Sequence, residues 1–282
     1  MSTLNGTPLT RHGNRVLIPS AKPAPAQTTA AAAPPKSAAV GDPTATVAPA
    51  PAAIPEAVVR TMIVCVTDEL ATVLDSTRNL ERHLGVTGTS CPRYWAIPAL
   101  RLWQRGQLID LRPTKTGPRQ CAGGPIRLLD LAGMRHGAYV GASVRHQHWT
   151  HVVAGTRPAT PWPTFLQRHL SDPSGYPMAT ATAEFHRQPR VQAMRMHNAA
   201  THGPGQLDLG DLEIFQAGAA AYANYHALWA LCTDAFLTET GDRTQPASAF
   251  FADRITYLEK AARHLDSLDE NQRLFAIDLH HP

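Results

Sequence analysis

The sequence predicts a mostly α-helical protein with a small antiparallel β-sheet (an α+β fold), preceded by a disordered tether rich in alanine and proline. Three observations support this prediction. The chain has 282 residues, 43% of them hydrophobic, which is enough to supply a core. Alanine and proline dominate the segment before residue 56. After Gly133, most of the chain carries apolar residues at helical spacing.

The segment 21–55 contains 14 alanines and eight prolines but only three charged residues. Repeated prolines remove backbone donors and interrupt any alanine helix, so we expect a disordered linker. Ahead of it, residues 1–20 form a short peptide in which a basic patch precedes three aliphatic side chains. Such a peptide is typical of a segment that docks on a protein partner, here through residues 10–19, although an ordinary disordered terminus has the same composition. The residues expected to make that contact are Arg11, Arg15, Val16, Leu17 and Ile18.

A single globular helical domain is predicted over residues 56–282. Between Pro55 and Leu84 the apolar residues recur close to helical spacing, and Gly85 suits a helix end, so we expect a helix here. The alternative is a β-strand over Thr61–Val66, because Met-Ile-Val-Cys-Val has high β-propensity.

A β-meander is predicted at about 94–131. The stretches 94–103 and 107–111 alternate apolar and polar side chains on the two sides of a turn at Gly106, which predicts a hairpin. Residues 125–131 repeat the pattern as a third strand. Three such short strands need helices to cover one face.

The rest of the chain is predicted to be helical. Proline and glycine positions set the expected boundaries, and an Asp-Glu-Asn sequence is interpreted as the start of the last helix. The predicted helices are Met134–Val153, Thr164–Leu170, Ala179–Ala200 with an interruption at Pro189, Leu209–Leu237, Ser248–Leu265 and Asp269–Leu279.

Charge is distributed unevenly along this chain, whose formal net charge is +4. Residues 131–206 carry seven arginines and eight histidines against two acidic residues, whereas residues 207–282 carry 12 acidic against five basic residues. Such asymmetry is typical of a surface for nucleic acid or another polyanion. The alternative is that the two segments pack together and their charges cancel. Arginine enrichment alone is weak support for nucleic-acid binding, because the excess of arginine over lysine resembles actinobacterial composition.

Arginine, amide and histidine side chains in the stretch from Arg187 to Asn198 suit contacts to phosphates and base edges. They equally suit a buried polar network or a protein interface. No helix has the basic density of a bZIP region, and no helix-turn-helix pair is evident. The candidate nucleic-acid-binding residues are Arg135, Arg145, Arg187, Arg190, Arg195 and His197.

A histidine cluster offers a second candidate site. His148 and His151 are three residues apart, so on a helix they are neighbours and could bind one divalent metal ion. A third ligand would come from elsewhere, with His136, His197 and Glu184 as candidates. The cluster lacks the glutamate of an H-E-x-x-H motif, and the alternative is a helix face with surface histidines.

Several function classes lack their motifs here. No apolar run is long enough to predict a membrane span, and neither a Gly-Lys-Ser/Thr phosphate loop nor a G-x-S-x-G elbow occurs. The four cysteines are widely spaced, which predicts neither a zinc knuckle nor a disulfide framework. The N-terminus lacks the apolar core of a signal peptide, so we expect a cytoplasmic protein.

These observations lead to three hypotheses. The first is a non-enzymatic accessory protein without a cofactor, which binds a polyanion, preferentially nucleic acid, through the Arg/His-rich segment 131–206. The second is an adaptor whose tethered N-terminal peptide docks on a protein partner. The third is a metal-dependent enzyme that uses His148 and His151.

Overall fold

The computed structural model of the chain describes residues 53–66 and 87–280. All of them belong to one compact unit, residues 49–282. Nearly all of the predicted linker lies outside the described residues, as does the predicted docking peptide. The predicted partner-binding residues that lie outside the described part of the chain are Arg11, Arg15, Val16, Leu17 and Ile18.

Helices make up most of the regular structure in the described residues and small sheets the remainder, which confirms the predicted α+β class. None of these helices has the length and apolar character needed to cross a membrane. The α-helices are α1 (Leu131–Val152), α2 (Trp162–Ser171), α3 (Met178–Arg187), α4 (Pro189–Ala200), α5 (Leu212–Gln216), α6 (Ala219–Cys232) and α7 (Phe251–Ser267). Short 3-10 helices cover Leu102–Gln107, Ile126–Leu128, Gly203–Gly205 and Leu209–Asp211.

Local sequence explains where several helices begin. The Asp130 carboxylate accepts the Gly133 N–H at 2.9 Å and so caps α1. Proline lies in the first turn of both α2 and α4, where its missing N–H has no helical partner to lose. The break between α3 and α4 falls at Gln188, next to the predicted interruption at Pro189.

A mixed sheet is the second layer of the fold. The strands are β1 (Thr61–Val66), β2 (Gly88–Ser90), β3 (Tyr94–Trp95), β4 (Gln120–Cys121), β5 (Gly123–Pro125), β6 (Ala235–Leu237), β7 (Arg243–Thr244) and β8 (Arg273–Leu279). The strand order of the main sheet is β2-β8-β1-β6-β7, with β5 also paired to β8. Strands β1 and β6 are parallel, and the other pairs are antiparallel. Strands β3 and β4 form a separate antiparallel pair.

Two predicted helices are strands in the structure. The prediction of a helix between Pro55 and Leu84 is wrong over Thr61–Val66, where the alternative of a strand is confirmed; residues 67–84 lie outside the described part of the chain. The predicted helix Asp269–Leu279 is also wrong, because β8 pairs along the whole of β1. All six residues of β1 are buried, so the strand shows a continuous apolar run instead of alternation.

The predicted β-meander at 94–131 is wrong in its pairing. Tyr94 pairs with Cys121, and the expected hairpin around Gly106 is instead the 3-10 helix Leu102–Gln107. The side chain of Gln104 accepts the Arg101 N–H at 2.9 Å, which supports this turn from within.

The predicted long helix Leu209–Leu237 is divided. Gly218, with φ 103°, separates α5 from α6, because this backbone conformation suits glycine and does not continue a helix. Thr233, with φ 54°, ends α6 and directs the chain into β6.

The core lies on both faces of the main sheet. Along β1, Ile63 and Cys65 face a large cluster that includes residues of α1, α6 and α7. Met62 and Val64 face a smaller cluster with Phe275 of β8. Successive residues of a strand point to opposite faces, so this alternation fixes which β1 side chains the helices cover.

Candidate functional site

Two histidines join the helices that contain most of the predicted binding residues. The Nε2 atoms of His148 on α1 and His197 on α4 lie 3.1 Å apart, and their rings meet edge to face. The His197 Nε2 also lies 3.1 Å from the Gly205 carbonyl oxygen. Because a carbonyl only accepts, this nitrogen carries the proton and donates.

The histidine contact differs from the pair expected for a metal. His148 faces His197, whereas no hydrogen bond or ring contact joins it to His151, which is exposed. Two imidazoles supply only half of a tetrahedral ligand set. No third metal-ligating side chain completes this pair within the described residues. A metal site at His148 and His151 stays a prediction.

Arg145 lies one turn before His148 on α1 and is exposed. Burial raises the pKa of the Tyr222 phenol on α6, and the Arg145 guanidinium beside it opposes that shift. Arg187 at the end of α3 and Arg195 on α4 are exposed as well. Arg195 is two residues from His197, so it projects from a different side of α4. The three exposed guanidinium groups thus belong to three different helices, α1, α3 and α4.

Arg190 has a different environment from the other predicted binding residues. Its Nε donates to the Thr156 Oγ1 at 3.1 Å and its Nη2 to the Thr156 carbonyl at 2.8 Å. Its Nη1 donates to the Gln216 Oε1 at 2.9 Å, and its guanidinium lies 5.4 Å from the Trp149 ring centroid. Burial lowers the pKa of Arg190. These contacts fix α4 against the end of α1 and against α5, which is a structural role.

Arg135 contacts the acidic segment. Its Nη2 lies 3.5 Å from a carboxylate oxygen of Asp266, at the edge of a cleft of about 890 Å³ between α1, α6 and α7. Within residues 53–66 and 87–280, this is the one ion pair that joins an arginine of 131–206 to a carboxylate of 207–282. Arg168 pairs instead with Glu184, inside its own segment.

Carboxylates of the acidic segment have other partners. Asp234 accepts from the backbone N–H groups of Arg60 and Thr61 at 3.0 and 3.1 Å, and from the Trp229 indole at 2.8 Å. Glu213 accepts the Phe251 N–H at the start of α7. Asp234 and Glu213 thus stabilise the fold through backbone and indole N–H groups, and within the described residues five of the seven arginines of 131–206 have no ion-pair partner.

A cluster that the sequence analysis missed lies where β1 and β6 end. A ligating atom of Cys65, one of Glu239 and one of His264 all lie within 4.8 Å of one another. The His264 Nε2 and a Glu239 oxygen are 3.0 Å apart. Burial, with a smaller contribution from Glu239, raises the pKa of Cys65 to about 12, so its thiol is protonated at neutral pH. Residues 65, 239 and 264 come from distant parts of the chain, so no local spacing indicates the cluster.

The chain matches no protein-family model, no curated protein and no solved structure.

Proposed function

We propose that this protein is a non-enzymatic accessory protein that binds a polyanion, preferentially nucleic acid, through the exposed arginines of residues 131–206. One observation carries the proposal. Of the seven arginines in that segment, only Arg135 forms an ion pair with the acidic segment 207–282 in the described part of the chain. Arg145, Arg187 and Arg195, on α1, α3 and α4, have no carboxylate partner among residues 53–66 and 87–280, which supports binding of an external anion.

The proposed contact residues lie on α1, α3 and α4. Arg145, Arg187 and Arg195 supply exposed guanidinium groups, which bind phosphate oxygens through two parallel N–H donors. His148 and His197 contact each other between α1 and α4, two of the helices that carry these arginines. Arg190 is left out, since its donors are already bonded within the protein.

The proposal is tested by the salt dependence of binding. We would titrate the full-length protein into a fluorescent duplex and a single strand of equal length at several salt concentrations. Each phosphate contact contributes about 0.9 to the slope of log K against log salt on duplex DNA and about 0.7 on a single strand. The variant Arg145→Gln/Arg187→Gln/Arg195→Gln should reduce the duplex slope by about 2.7 if all three contact phosphates.

A matched control distinguishes binding through the proposed surface from a general effect of net charge. The variant Arg105→Gln/Arg119→Gln/Arg243→Gln removes the same charge from exposed positions outside the proposed surface and leaves the N-terminal segment unchanged. Its slope should equal that of the unmodified protein. Equal losses in both variants would show that only net charge matters, and no binding at low salt would overturn the proposal.

The adaptor hypothesis is the second candidate, and it rests on the N-terminal peptide rather than on a contact in the described residues. It takes first place if the full-length protein binds no nucleic acid.

The state of the cysteines supports a cytoplasmic location. Free thiols are found at Cys65, Cys91, Cys121 and Cys232, as is typical of proteins in a reducing compartment such as the cytoplasm.

A further inference from the structure

The cluster of Cys65, Glu239 and His264 lies at one edge of the main sheet. Cys65 is the next-to-last residue of β1, and Glu239 follows the end of β6 by two residues. Because β1 and β6 are parallel, their carboxyl ends meet at the same edge. His264, on α7, completes the cluster from the helical layer that covers this face of the sheet.

The packing around the cluster holds its members in place. Cys65 is only 6% exposed and belongs to the helix-covered core. The His264 ring packs edge-on against Phe236 of β6, with ring centroids 5.3 Å apart. Glu239 is exposed and His264 is half-buried, so the cluster opens to solvent on the carboxylate side. An ion could enter from that side without unfolding the core.

The three side chains present a thiol sulfur, an imidazole nitrogen and a carboxylate oxygen. Zinc and chemically similar divalent ions take this mixture of ligands, whereas magnesium and calcium prefer oxygen alone. A tetrahedral zinc ion holds such ligand atoms about 3.3 to 3.6 Å apart. The separations of up to 4.8 Å are therefore within small side-chain rotations of a bound geometry.

We propose that Cys65, Glu239 and His264 form a binding site for zinc or a similar divalent transition-metal ion. The ion replaces the thiol proton of Cys65, which passes to solvent, so the bound ligand is the thiolate. Three protein ligands leave the fourth tetrahedral position to a water molecule. This site shares no residue with the proposed arginine surface and does not depend on polyanion binding.

Cobalt(II) is the probe for this site. We would add it to full-length protein made without a histidine tag and treated with a chelator. A thiolate ligand should give a sulfur-to-cobalt charge-transfer band in the near ultraviolet, and tetrahedral geometry should give intense visible bands. One equivalent of zinc should abolish both. Absence of the charge-transfer band in the unmodified protein would overturn the proposal.

Variants assign the ligands. Cys65→Ser should remove the charge-transfer band, while Cys91→Ser and His148→Ala should keep it. Glu239→Gln changes an exposed side chain, so it tests the site without disturbing the core; it should weaken cobalt binding by about tenfold or more. Persistence of the band in Cys65→Ser, or unchanged affinity in both Glu239→Gln and His264→Gln, would show that the metal binds elsewhere.

Discussion

Replacement of Arg190 by alanine should destabilise the protein and leave its salt-dependent binding unchanged. After this replacement, two of the groups that accept from Arg190 keep another hydrogen-bond partner. The Gln216 Oε1 still accepts the Ala159 N–H at 2.7 Å, and the Thr156 hydroxyl still donates to the Val153 carbonyl at 2.6 Å. The Thr156 carbonyl loses the donor that Arg190 supplied.

The magnitude follows from these losses. A hydrogen bond to a charged group contributes about 1.5 to 3 kcal/mol, and a partly exposed cation–π contact about 0.5 to 1 kcal/mol. Because Arg190 is only half-buried, we expect a total of about 2 to 3 kcal/mol. For a domain of this size, that loss lowers the melting temperature by about 4 to 12 °C.

Urea unfolding followed by tryptophan fluorescence measures the loss of stability. The salt titration of DNA binding measures whether the slope of log K against log salt is unchanged. Arg195→Ala, five residues further along α4 and exposed, is the matched control and should change stability by less than about 0.5 kcal/mol. Arg190→Lys should also destabilise, since it keeps the charge but loses the planar fork of donors. Normal stability of Arg190→Ala together with a reduced salt slope would refute a structural role.

Two further predictions concern stability. Burial raises the pKa of Cys121 and Cys232 from 9.0 to about 12. As the pH rises, the unfolded chain therefore loses these thiol protons before the folded protein does. The free energy of unfolding should fall between about pH 9 and 12. Each thiol contributes at most about 1.4 kcal/mol per pH unit, and an equal urea midpoint at pH 8 and pH 10 would contradict this. Asp234→Ala removes the acceptor of three N–H groups and should cost about 2 to 4 kcal/mol by urea unfolding, whereas the exposed control Asp266→Ala should cost less than about 1 kcal/mol.

The sequence predicted helix boundaries well where a proline or another local signal marks them. Pro189 interrupts the helical pattern in the sequence and begins α4 in the structure. Strands were predicted poorly for the opposite reason. Strands β1 and β8 lie in the interior of the sheet, and a strand with both faces covered has no alternation to distinguish it from a buried helix.

The candidate sites show the same division. The uneven charge can be read from the sequence, but the role of Arg190 depends on Thr156 and Gln216, which are 34 and 26 residues away. The contact between His148 and His197 spans 49 residues. Cys65, Glu239 and His264 meet only because β1 and β6 run in parallel under α7, so topology, not spacing, creates that cluster.

The pairing of β1 with β8 has a consequence for biosynthesis. Thr61 and Asp278 are hydrogen-bonded partners separated by 217 residues. At a translation rate of about 5 to 20 residues per second, the β8 edge of β1 stays open for roughly 10 to 40 s after β1 is made. The helices that follow β1 can form on the ribosome in that interval, whereas the sheet cannot be completed. A newly made β1, which is entirely apolar apart from Thr61, therefore exposes an unpaired strand that a chaperone would protect in that interval.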